Sequence, residues 1–122
     1  MSNFQNQTQI QTQSITKSLK QIPGGELVLW LETQLSSDNF ESACDYILET
    51  VISQLIVICD EKTQMEMNNF LEKGDFEQFF VVLGDLLDKK NANHMIFHYQ
   101  LLDAMQLGFE VMVLKYQLDT SK

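Results

Sequence analysis

Apolar residues recur every three or four positions through most of the chain, which is the spacing of one face of an α-helix. The clearest run begins after Asp38 and consists of Phe40, Cys44, Ile47, Val51, Leu55 and Ile58. Further helical patterns cover about residues 63–73, 76–90 and 94–118. The segment 26–35 suits either a buried strand or a helix, and the i+4 repeat of its leucines together with the lack of a partner strand favours the helix.

Residues that start and stop helices stand between these patterns. Three pairs have the three-residue spacing of a capping box: Asp38 with Glu41, Thr63 with Glu66, and Asp75 with Gln78. Gly74 suits the position just past a helix end, and Asn93 is placed to cap the last helix. The pattern therefore predicts separate helices joined by short connections.

The first part of the chain lacks this pattern. Residues 1–17 are mostly Gln, Asn, Thr and Ser, and so few apolar side chains cannot offset the entropy lost on ordering. We expect a flexible polar tail over 1–17, a turn of helix near Ser18–Ile22, and a turn at Pro23-Gly24-Gly25. For residues 18–122 the pattern predicts a single all-α domain that forms a compact bundle of four to five helices.

Composition narrows the class of protein. The chain has 122 residues, and no window approaches the roughly 18 uncharged apolar residues that a membrane span needs. The two cysteines, Cys44 and Cys59, fall within one predicted helix, about 22 Å apart along its axis and too far for a disulfide. We expect buried free thiols in a protein that is soluble and cytoplasmic.

Charge is the most unusual property of the sequence. Seventeen acidic residues face eight lysines, and the chain contains no arginine, which gives a net charge of −9. Because nucleic-acid binding depends on a cationic surface, this composition argues against direct nucleic-acid binding. The acidity is also uneven: residues 21–61 contain eight acidic residues and no lysine, whereas the rest is nearly neutral.

Three of these acids form a stripe on the helix that follows Asp38. Glu41, Asp45 and Glu49 repeat at i+4 on the side opposite the apolar face, with no basic residue at that spacing. One interpretation is a solvated helix face. The other, which we take as the hypothesis for partner binding, is a docking surface for a basic protein partner.

The last helix is apolar on most of its sides. Its heptad a/d positions, which we predict as a homodimer interface, are Met95, His98, Leu102, Met105, Phe109 and Met112. A second stripe contains the small pair Ala104 and Gly108, which would let another backbone approach closely. Such a helix is either central in the bundle or shared between two copies.

Candidate chemistry is sparse. His94 and His98 have the i, i+4 spacing of many metal sites, but no third ligand shares their stripe, so we predict no metal and keep the pair as a weak candidate. The chain has no phosphate-binding glycine loop, nucleophile elbow or dinucleotide fingerprint, and we expect neither a cofactor nor an enzyme.

Two hypotheses follow. The first is a regulatory or adaptor protein that binds a protein partner through its acidic half, with an inhibitor or immunity-type antagonist as a special case. The alternative is a helical domain that binds a small ligand or a metal through His94, His98 and an interior lined by Met and Phe.

Overall fold

The computed structural model describes residues 14–121, and this part of the chain is all helical, without strands. Six helices follow one another: α1 (14–21), α2 (Gly25–Gln34), α3 (Ser37–Ile56), α4 (Glu61–Glu72), α5 (Phe76–Leu87) and α6 (His94–Tyr116). The predicted all-α class is confirmed, and the segment 26–35 is helical up to Gln34, as α2. None of the helices in the described range has the length and hydropathy that a membrane span requires.

The first helix accounts for the difference from the predicted four or five. Residues 14–17 belong to α1 rather than to the polar tail, and the rest of the predicted tail, residues 1–13, lies outside the described residues. Ile15 and Leu19, one turn apart, are both buried in the core. Two apolar residues are too few to stand out as a periodic pattern, so the sequence placed this helix too late.

The turn between α1 and α2 needs its two glycines. Gly24 has a φ of 88°, in the left-handed region where a side chain is strained. A Cβ on Gly24 would also lie 2.9 Å from the Cβ of Met105. A Cβ on Gly25 would overlap the carbonyl oxygen of Lys20. Both glycines therefore let α2 start directly against the end of α1 and against α6.

Two of the predicted helix starts are wrong by a few residues. Helix α3 is capped by Ser36, whose Oγ accepts a hydrogen bond from the Asn39 amide at 3.3 Å, rather than by Asp38. Helix α4 is capped by Asp60, whose carboxylate accepts from the Thr63 amide at 2.8 Å. This hydrogen bond also holds the pKa of Asp60 below its usual value. In both cases an equally good capping residue lies two or three positions earlier in the sequence.

The junction between α4 and α5 is as predicted. Gly74 has a φ of 70°, its amide donates to the Leu71 carbonyl, and the Asp75 amide donates to the Phe70 carbonyl at 2.8 Å. These two bonds form a Schellman motif. Asp75 then caps α5 by accepting from the Gln78 amide at 3.2 Å.

The centre of the molecule is an antiparallel pair formed by α3 and α6. A Cβ on Gly108 would lie 3.1 Å from Cγ1 of Ile47, and Gln100 donates to the Gln54 backbone and side chain at 3.3 and 3.2 Å. The neighbouring Ala104 is buried as well. The predicted close approach at the small residues is confirmed, and the helix that approaches is α3.

Helices α4 and α5 pack against each other, and α5 also packs against α6. Phe79 and Leu83 are fully buried, as the pattern in α5 predicts. On α4 the apolar spacing predicts that Met65, Phe70 and Leu71 face inward, but the buried methionine is Met67, and Met65 is exposed. The two methionines lie about 200° apart around the helix, so only one of them can face the core.

Candidate partner-binding surface

The acidic stripe lies on the outer side of α3. Glu41, Asp45 and Glu49 occupy successive turns, and all three are exposed. Ile47, which contacts α6, is two residues from Asp45 and therefore about 200° away around the helix. The structure thus brings the three predicted residues together on one accessible face of α3, on the side away from α6.

The three carboxylates act on one another electrostatically. Partial burial raises the pKa of Asp45 above its usual value, and the charges of Glu41 and Glu49 raise it further. Within residues 14–121, no lysine forms an ion pair with any of the three. The stripe is therefore a patch of mutually repelling charge, stabilised by the core packing on the other side of α3.

Two lysines stand at the start of this stripe. A surface cavity of about 520 Å³ separates α1 from α2 and α3, and its wall consists of Thr16, Lys17, Lys20, Glu32, Leu35, Ser37, Phe40 and Glu41. Lys20 Nζ lies 2.6 Å from the Glu32 carboxylate and 5.7 Å from the centre of the Phe40 ring. Lys20 thus neutralises one of the eight acids in 21–61, a pairing across 12 residues that local sequence spacing does not reveal.

The predicted dimer interface is wrong for two of its six residues. Met105 and Met112 are buried in the core of the single chain. They lie on the same side of α6 as Gly108, the side that packs against α3. A second copy has no access to them in this fold.

Two other members of the predicted interface are partly buried within the chain. The His98 ring Nε2 lies 3.1 Å from the Leu87 carbonyl at the end of α5. Phe109 packs edge-to-face against Trp30 of α2, with ring centres 5.6 Å apart. The last two, Met95 and Leu102, are exposed.

The sequence pattern missed Tyr99, which is among the most exposed apolar side chains of α6. The predicted stripe runs from Met95 to Leu102 through His98, at i+3. The exposed face runs between the same two residues through Tyr99, at i+4. A helix with apolar residues on both sides supports either choice, and only the position of α3 distinguishes them.

The candidate metal pair gains no further ligand. The rings of His94 and His98 are 6.3 Å apart between centres. His94 Nδ1 lies 2.9 Å from the Asn91 carbonyl, so both rings have a backbone carbonyl as partner. Among residues 14–121 no group of three or more His, Cys, Asp and Glu side chains is arranged to hold a metal ion.

Both cysteines are buried free thiols, as predicted. Burial raises the pKa of the Cys44 thiol to about 11. The pKa of the Cys59 thiol is also raised, by burial and by the Asp60 charge. Cys59 lies just past the end of α3, with its sulfur 4.0 Å from that of Met67. Both thiols are therefore protonated and weakly nucleophilic at neutral pH.

A carboxylate accepts strong, charge-assisted hydrogen bonds from lysine and arginine side chains. Searches for similarity to protein-family models, to curated proteins and to solved structures each found no match.

Proposed function

We propose that this protein is a non-enzymatic regulator or adaptor that binds a basic protein partner through Glu41, Asp45 and Glu49. The observation that carries the proposal is the exposure of all three carboxylates on one face of α3 without an ion-pair partner in residues 14–121. A solvated helix normally intersperses both signs of charge, which lowers the repulsion between its own side chains.

The rigidity of α3 supports this role. The opposite face of the helix is anchored by buried side chains along its whole length, from Phe40 to Leu55. Its carboxylates are therefore presented by a fixed backbone, and a partner loses less entropy on binding to a fixed array than to a flexible one. Long-range attraction to such an array also speeds the encounter with a basic surface.

The partner class follows from the chemistry of the stripe. Lysine and arginine side chains at helical spacing, or along one edge of a groove, match carboxylates that repeat every turn. An inhibitor is a special case of this function, in which the basic surface covered by the stripe is the partner's own active site.

The proposal is tested by neutralising the stripe. The variant Glu41→Gln/Asp45→Asn/Glu49→Gln is compared with the control Glu66→Gln/Glu72→Gln/Glu77→Gln, which changes the net charge equally on α4 and α5. Both variants and the wild type are used as bait in source-cell lysate, and the captured protein is then purified and its binding kinetics measured at several salt concentrations.

The stripe variant should capture the partner less, with a slower association rate and a weaker dependence on salt, while the control retains both properties. Because the three changes remove like-charge repulsion, the stripe variant should fold at least as stably as the wild type. Equal capture by the two variants would show that the stripe is a solvated face.

A further inference from the structure

The surface cavity between α1, α2 and α3 is a separate feature from the acidic stripe, with which it shares only Glu41. Its volume of about 520 Å³ lies within the range of small-molecule sites, and a sphere of that volume is about 10 Å across. Each of the three helices contributes side chains to its wall. Buried residues anchor all three helices in the core, Leu19 on α1, Leu31 on α2 and Ala43 on α3, so the wall stands on a fixed backbone.

Charges of both signs line this cavity. Lys20 and Glu32 neutralise each other, since Lys20 Nζ lies 2.6 Å from the Glu32 carboxylate. Lys17 on α1 and Glu41 on α3 form no ion pair within residues 14–121, and their charged atoms are therefore more than 4.0 Å apart. The cavity thus keeps one uncompensated positive charge and one uncompensated negative charge, on two different helices.

An apolar surface completes the wall. It is provided by Phe40, which is 8% exposed, and by Leu35, which is partly buried. An apolar group that enters the cavity replaces water on these two side chains, which favours its binding. The cavity therefore combines a cation, an anion and an apolar surface.

These three elements determine which ligand is complementary to the cavity. A ligand with a single negative charge pairs with Lys17, but it is repelled by Glu41 and by a chain with a net charge of −9. A ligand with a single positive charge pairs with Glu41, but it is repelled by Lys17. A small molecule with both charges accepts hydrogen bonds from Lys17 through its carboxylate and donates to Glu41 through its ammonium group.

A free α-amino acid carries these two charges at a suitable distance. With a hydrogen bond of about 2.8 Å at each end, it spans up to about 8 Å between a lysine nitrogen and a carboxylate oxygen. This span is longer than the smallest separation of Lys17 from Glu41 and shorter than the width of the cavity. We infer that the cavity binds a free apolar α-amino acid, with its side chain against Phe40 and Leu35.

Titrations of the full chain, followed by proton–nitrogen correlation spectra, test this site. The probes are L-leucine, N-acetyl-L-leucine, which lacks the ammonium group, and L-leucinamide, which lacks the carboxylate. We expect L-leucine to shift the amide signals of the cavity wall in a saturable manner, with a dissociation constant of about 1 mM or less. Each analogue should bind about tenfold more weakly, because it lacks one charge-assisted hydrogen bond.

Two single variants assign the charges. Lys17→Gln should weaken the binding of L-leucine about tenfold and leave that of L-leucinamide unchanged, because the amide has no carboxylate to lose. Glu41→Gln should weaken L-leucine to the same extent and leave N-acetyl-L-leucine unchanged. The controls Lys62→Gln and Glu66→Gln remove the same charges on α4 and should bind L-leucine as the wild type does. The urea midpoint of each variant establishes that it is folded.

Three outcomes overturn the inference. The first is the absence of a saturable shift with about 20 mM L-leucine, far above the expected dissociation constant. The second is equal binding of the three probes, and the third is an equal effect of the cavity variants and the α4 controls.

The amino-acid site does not rest on the proposed function, and the two fail separately. A protein that binds L-leucine but captures its partner without the stripe keeps the amino-acid site and loses the function. A protein that captures its partner through the stripe but does not bind L-leucine keeps the function and loses the amino-acid site.

Discussion

Two glycines within helices have opposite surroundings, although helix propensity treats them alike. Gly84 lies on the exposed side of α5, and a Cβ there would meet nothing within 4 Å. Gly108 lies in the centre of the α3–α6 contact, where a Cβ would come within 3.1 Å of the Ile47 side chain and 3.4 Å of its Cα. Gly84 therefore lowers the stability of α5 without a packing benefit, whereas Gly108 allows α3 and α6 to pack closely.

We expect Gly84→Ala to raise the free energy of unfolding by about 0.5–1 kcal/mol, because alanine loses less conformational entropy in a helix. We expect Gly108→Val to lower it by about 2 kcal/mol or more, because the larger side chain forces α3 and α6 apart. Urea denaturation followed by circular dichroism measures both values. Effects of the same sign at the two positions would contradict the close packing of α3 on α6.

The raised pKa of Asp45 makes stability depend on pH. Its pKa is higher in the folded chain than the ordinary value of 3.8, so the folded state binds more protons than the unfolded state in that window. The contribution of Asp45 to stability therefore falls as pH rises from about 3.8 through the folded pKa, and remains unfavourable at neutral pH.

Asp45→Asn removes this unfavourable contribution. We expect the variant to be more stable than the wild type at pH 7 by about 0.5 kcal/mol, the size of one or two like-charge pairs on a helix. The difference should shrink as pH falls through 3.8 and vanish well below it, where the wild-type carboxyl is protonated in both states. Urea titrations between pH 3 and pH 7 measure the difference, with Glu66→Gln on α4 as the control. A gain that persists at low pH would show that charge is not its cause.

At the scale of elements, the sequence predicts the five later helices and only a late, shortened form of the first, near Ser18–Ile22 instead of 14–21. Long apolar periods locate α3, α5 and α6, and a capping residue with a glycine stop locates the junction at Gly74 and Asp75. The starts of α3 and α4 are misplaced because several capping residues stand close together, and local spacing does not rank Ser36 against Asp38.

Competition between these two capping residues can be measured. We expect Ser36→Ala to lower the free energy of unfolding by about 1 kcal/mol, because it removes the side-chain partner of the Asn39 amide. Asp38→Ala should cost less than half as much, since Asp38 lies in the first turn and contributes only through the helix dipole. Thermal or urea denaturation of the two variants measures both losses. A larger loss for Asp38→Ala would show that Asp38, the residue predicted from the sequence, is the cap.

The candidate surfaces differ in how far the sequence predicts them. Glu41, Asp45 and Glu49 follow from spacing alone, since a helix with one strongly apolar face leaves little choice for the other. On α6 the spacing is ambiguous, because apolar residues occur on both sides. Met105 and Met112 are buried in α6, which packs against α2 and α3. Both of those helices are distant in sequence, so the local pattern does not contain this information.

At the scale of the whole molecule, concentrated acidity should make stability depend on salt. Repulsion among the carboxylates of α2 and α3 is screened as ionic strength rises. We expect the urea midpoint at neutral pH to increase between about 0.02 and 0.5 M NaCl, where the Debye length falls from about 20 Å to 4 Å. The Glu41→Gln/Asp45→Asn/Glu49→Gln variant should show a smaller increase than the control with three changes on α4 and α5. Equal salt dependence of the two variants would show that the repulsion does not arise mainly from Glu41, Asp45 and Glu49.

The antiparallel pairing of α3 with α6 has a consequence for how the chain folds. Gln54 and Gln100 are 46 residues apart, and α4 and α5 occupy the interval. The packing of α6 against α3 is therefore formed only after a long loop has closed, and loop closure costs entropy before any contact compensates for it. We expect helix formation to be fast and the docking of α6 onto α3 to limit the folding rate, which makes this protein a slower folder than its purely helical content suggests.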